Sequence, residues 1–154
     1  MHQQPLYEAG YYAWLTEQIR ALRERHPERV DAENVAEELE DLGYNVRREL
    51  QSRLEVILAH MLQIVYQPEK RTPSWENTIY EQRMRLEDLL AKNPSLRSHL
   101  DGTTLDAFRY ARRAAGNEMG LTLRESRKLF PVDCPWTRAE VLSPSFVPKP
   151  PARR

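Results

Sequence analysis

With 154 residues and 23 lysines and arginines against 23 aspartates and glutamates, the chain has no net charge, so no global field draws it to nucleic acid or to an anionic membrane. One cysteine excludes an intramolecular disulfide framework and fits a reducing compartment. Unbroken apolar runs such as residues 56–59 are far too short to span a bilayer, and the first ten residues lack the basic and apolar regions of a signal peptide, so a soluble cytoplasmic protein is expected.

Residues 6–25 read as a first helix, with Tyr7, Tyr11, Leu15, Gln18 and Leu22 on one face and Trp14 and Ile19 flanking it. His26-Pro27 ends it, and the short connection to Asp31 favours an antiparallel neighbour. The stretch 31–67 then organises the chain. It holds no proline and one glycine, Gly43, which marks a bend or a point where another helix crosses close to the backbone. One face of this central helix collects Val35, Leu39, Leu42, Val46, Leu50, Ile57, Met61 and Ile64, and is expected to be buried along its length. Asp31 is placed to cap it, and Pro68 to stop it.

After a polar link, Ser74 is expected to cap a third helix over 75–92, whose buried face holds Trp75, Ile79, Leu86, Leu89 and Leu90. Residues 95–100 form one or two turns, and Asp101-Gly102-Thr103-Thr104 is expected to break the pattern. Leu105, Phe108, Ala111, Arg112 and Ala115 then recur with helical spacing up to a C-cap at Met119-Gly120. Thr122 with Glu125, and Thr137 with Glu140, are capping-box pairs opening two short helices. No alternating apolar run reads as a strand. The expected fold is all-α: a helical bundle around one long central helix, with a C-terminal subdomain of short helices. Residues 1–142 are expected to form one domain, and 143–154, rich in proline, a mobile tail.

Polar residues on the apolar stripe are the candidate site. Glu49 and Arg53 are four apart, the favourable spacing for an ion pair on a helix, and His60 projects within the same sector. On the third helix Gln82 lies central on the buried face and Arg83 at its edge, so a shared buried seam of Glu49, Arg53, His60, Gln82 and Arg83 is expected. Such a seam either fixes helix register or forms the floor of a ligand or catalytic site. The acidic cluster Glu33, Glu37, Glu38, Glu40 and Asp41 could attract a hard cation. It is spread around the helix, however, and Ile57 rather than Glu stands three before His60, so no metal and no cofactor are expected. Cys134 has no histidine near it in sequence and reads as a packed thiol. Arg109, Arg112, Arg113, Arg124, Arg127 and Lys128, extended by Arg153 and Arg154, make the C-terminal third basic, which the acidic cluster offsets.

The run Glu33-Asn34-Val35-Ala36-Glu37-Glu38-Leu39-Glu40-Asp41-Leu42-Gly43, with Arg47-Arg48-Glu49-Leu50, Ser52-Arg53-Leu54, Leu58-Ala59-His60-Met61-Leu62 and Tyr66-Gln67-Pro68-Glu69, resembles a bacterial family. Ser74-Trp75, Thr78-Ile79, Glu81-Gln82-Arg83, Pro94-Ser95-Leu96, Phe130-Pro131 and Cys134-Pro135-Trp136-Thr137 continue the likeness. The family is the one catalogued as "domain of unknown function" twenty-nine. Spanning residues 7–142, the resemblance implies an all-helical fold and no assigned activity. The leading expectation is a non-catalytic interaction or regulatory module, a homo-oligomer or the binder of a protein partner. A small enzyme or ligand binder using the Glu/Arg/His seam is the rival, and weak nucleic-acid binding through the basic third ranks last.

Overall fold

The computed structural model describes residues 10–150. The expected start of the first helix at Leu6, with Tyr7, and the terminal pair Arg153 and Arg154 lie outside the described residues. Within them the chain is all helical, without a strand. Six α-helices run in the order α1 (Tyr11–Arg23), α2 (Ala32–Tyr66), α3 (Pro73–Lys92), α4 (Leu100–Glu118), α5 (Leu123–Leu129) and α6 (Arg138–Leu142), with short 3-10 turns at Pro27–Arg29, Pro68–Lys70 and Pro94–His99. Among the described residues no helix is long and apolar enough to cross a membrane. The chain divides into two compact units, one ending at Val46 and one beginning at Arg47.

The first unit pairs α1 with the opening turns of α2. Trp14, Gln18 and Ala21 are the buried residues of α1, a line rotated from the expected face, so that Tyr11 and Leu22 lie exposed. The reason is polar: the Gln18 Oε1 accepts the Asp31 backbone N–H at 2.7 Å, and the Tyr11 hydroxyl donates to Glu38. Those two bonds fix which side of α1 meets the start of α2. Asp31 caps α2 as expected, its carboxylate accepting the Asn34 backbone N–H at 3.4 Å and the Asn34 side-chain amide at 2.7 Å.

In the second unit, α2 supplies the core with Leu50, Leu54, Ile57, Leu58, Met61, Leu62 and Ile64, all fully buried, and α3 and α4 pack on it. Ile79, Leu86 and Leu90 come from α3, and Leu100, Ala107, Phe108, Ala111 and Ala115 from α4. The buried stripe expected along the whole of α2 therefore stops short: Leu39 and Leu42 are each 62% exposed. The helix continues through Gly43, and no neighbour crosses close to its backbone, since a Cβ there would meet nothing within 4 Å.

Two boundaries differ from expectation. α3 begins at Pro73, whose fixed φ suits the first helical turn, and no side-chain cap is needed. Helix α4 runs straight through Asp101-Gly102-Thr103-Thr104. Gly102 costs about 1 kcal/mol in a helix, but burial of Leu100 and Ala107 on either side contributes more. At the far end of α4, Gly120 takes φ +71, with the Leu121 N–H on the Gly116 carbonyl and the Gly120 N–H on the Asn117 carbonyl, the paired bonds of a Schellman cap. Both capping boxes form as read.

Candidate functional site

The seam expected from the helical wheel divides into three places. Arg53 reaches Glu49 with two nitrogens, at 2.6 and 3.1 Å, and Gln82 Oε1 on α3 with a third, at 3.1 Å. This cluster is not buried: the Glu49 side chain is 45% exposed and that of Arg53 is 20% exposed. It is a helix-to-helix polar clip at the edge of the core, because the sector holding Glu49 and Arg53 faces the border of α3 rather than its centre. An i,i+4 pair this open contributes about 0.3–0.5 kcal/mol. Arg53→Met is expected to lower stability by less than about 1 kcal/mol in urea denaturation, far below the cost of stranding a buried ion.

His60 takes no part in that cluster. Its Nδ1–H donates to the Val56 carbonyl at 2.9 Å on its own helix. His60 instead lines a cavity of about 390 Å³ with Glu55, Gln63, Trp75 and Glu118, and neither Glu49, Arg53 nor Gln82 reaches it.

Arg83 sits deeper than the edge position expected, at 4% exposure. Its guanidinium donates to the carbonyls of Val141 at 2.8 Å, Phe146 at 2.6 Å and Glu140 at 3.1 Å. Burial pulls its pKa down to about 10, so at neutral pH it remains a cation. Three carbonyl dipoles, two of them from the last turn of α6, take the place of a carboxylate, which suits the negative end of a helix. The proline-rich stretch expected to be mobile from Ser143 onward is thus tied at Phe146.

Cys134 is half-buried, its thiol 3.6 Å from the Trp136 carbonyl, and burial raises its pKa. Labelling by a thiol reagent at pH 7.5 is expected to be at least about tenfold slower in the native protein than in denaturant. No three His, Cys, Asp or Glu converge as metal ligands among the described residues.

Sequence reasoning did not foresee a cleft between α4 and α5. A Cβ on Gly116 would lie 2.1 Å from the Ser126 Oγ, so glycine there lets α5 lie almost against the α4 backbone. Beside this contact Arg109, Arg112 and Arg113 of α4 and Arg127 of α5 line a cavity of about 250 Å³. Three of these arginines share a helix face by their spacing, the one signal in the sequence; the arrival of Arg127 depends on the close approach at Gly116.

A family model described as "Domain of unknown function DUF29" matches residues 6–147. The chain belongs to the DUF29 family. No curated protein and no solved structure matches it significantly. The DUF29 match ends one residue past Phe146, whose carbonyl Arg83 holds, so the family's extent includes the tied segment and all the side chains described above.

Proposed function

We propose that this protein is a non-catalytic helical interaction module, and that the partner on its docking face is a second copy of the same chain. One observation carries the reading. On α2 the stripe Val35, Leu39, Leu42, Val46, spaced four, three and four, contains no fully buried residue, and its two leucines are largely exposed. That spacing is the seam of a two-helix coiled coil.

The borders of the seam favour self-pairing. Ala36 and Gly43 lie on one edge, small enough for a second helix to come close, while Asn45 and Glu38, the latter already bonded by Tyr11, lie on the other. Centring an antiparallel pair between Leu42 and Gly43 sets Leu39 of one copy level with Val46 of the other. It also sets Glu37 and Glu38 level with Arg48 and Arg47, and no like charges share a level. Opposite charge at matching heights selects that register.

Sedimentation velocity of the full chain from about 1 to 100 µM tests this, a range that brackets micromolar self-association. The parent protein is expected to dimerise, and the double variant Leu39→Glu, Leu42→Glu to stay monomeric with unchanged helicity, since neither side chain belongs to the core. A parent that is monomeric throughout the range refutes the reading.

A further inference from the structure

We propose that the cleft between α4 and α5 is a binding site for the phosphate group of a small phosphate monoester or of free phosphate, held by Arg109, Arg112, Arg113 and Arg127. Four arginines line one cavity, and no described aspartate or glutamate lines it. None of the four makes an ion pair or side-chain hydrogen bond among the described residues. Among the other described arginines, Arg20, Arg53, Arg71, Arg85, Arg97 and Arg138 each meet a carboxylate, and those that meet none, such as Arg23, Arg47 and Arg124, line no cavity with three others. Like charges lining one cavity without counter-charges repel one another, and an entering anion would relieve that repulsion.

Arg112 sharpens the point. Its Nε–H is buried and has no acceptor among the described residues. Buried donors without an acceptor are rare in folded proteins, and this one belongs to a residue that lines the cavity. Guanidinium forks match the oxygen geometry of phosphate, donating in pairs, which a lysine cluster would not do. Ser126 also lines the cavity.

The ligand is small rather than a nucleic acid. The arginines surround one space instead of following a track, and Tyr110 and Leu123 wall it with apolar surface. A second cavity of about 420 Å³ shares Arg113, Leu123, Ser126 and Arg127 and continues to Asn117 and Leu121 without another basic side chain. There is thus room beside the phosphate position for the organic part of an ester.

Isothermal titration calorimetry on the full chain at fixed ionic strength tests the assignment, with inorganic phosphate and phenyl phosphate as probes and chloride and a single-stranded oligonucleotide as comparisons. One phosphate probe is expected to bind per chain, at least about tenfold more tightly than chloride, since a paired guanidinium–phosphate hydrogen bond changes affinity on a tenfold scale and chloride cannot form one. Arg112→Gln and the exposed Arg127→Gln should each weaken it by about tenfold or more, and Arg124→Gln, outside the cavity, should leave it unchanged. The exposed position of Arg127 keeps that variant informative even if Arg112→Gln perturbs folding. Phenyl phosphate binding more tightly than phosphate identifies an ester as the ligand; equal affinity identifies the free ion. Phosphate no tighter than chloride, equal losses in Arg124→Gln and Arg127→Gln, or an oligonucleotide that outbinds both probes each overturns the assignment.

Discussion

Arg83→Met is expected to destabilise the protein by about 3–5 kcal/mol, since three hydrogen bonds from a charged donor are lost at about 1.5–3 kcal/mol each and the relief of desolvating the guanidinium returns part of that. The carbonyls of Glu140, Val141 and Phe146 are left without their donor. Methionine fills the stem's volume, so the loss reads the polar tie rather than a cavity. Arg83→Lys keeps the charge but not the planar fork, and should recover less than half of the loss. Urea denaturation measures both. Limited proteolysis adds a local reading: cleavage after Ser143 should accelerate in Arg83→Met under native conditions. A variant as stable as its parent would show that the C-terminal segment is held by something else.

Phe108→Ala is expected to cost about 3–5 kcal/mol, the range for truncating a buried phenylalanine. Phe108 is buried on α4 and meets Trp136 edge to face, ring centroids 6.4 Å apart at 83°. Trp136 is only half-buried and its truncation should cost less. The pair's own contribution, about 0.5–1.5 kcal/mol, is what a double-mutant cycle of Phe108→Ala with Trp136→Ala isolates. A coupling near zero would mean that the two rings are neighbours without mutual stabilisation.

Arg83 and Phe108 also mark what a sequence can and cannot say. Phe108 repeats with helical spacing and is buried, but Leu105 in the same row is 60% exposed, so the period marks the face and not its edge. Both capping boxes are legible because each is closed by residues three apart. Arg83 reads as the edge of a face, but its acceptors are carbonyls 57, 58 and 63 residues away, and a carbonyl carries no mark of its partner in the residue alphabet. The divided seam has the same origin. A helical wheel gives the angle at which Arg53 and His60 leave α2, not which neighbour stands there, so two residues of one sector meet an α3 glutamine and a backbone carbonyl respectively. Leu39 and Leu42 fit the apolar period as well as Leu50 does; the period cannot tell where the covering helices stop. At Gly102 the local cost of glycine is visible in the sequence, whereas the burial of Leu100 that outweighs it is not. For the arginine cleft, half the information is present: Arg109, Arg112 and Arg113 on one face. The other half is the Gly116–Ser126 approach, a tertiary fact.

Helix α2 buries no residue before Leu50, and Gly43 interrupts that stretch with the residue that least favours staying helical. To amide hydrogen exchange, one continuous helix should therefore behave as two. Amides from Leu54 to Ile64, locked under the core, should exchange only through global unfolding, whereas those around Gly43 should exchange through local openings that leave the core intact. Because a single peptide would then report two rates across its length, the position of the break can be mapped to the residue, and its response to protein concentration would show whether a second chain closes it.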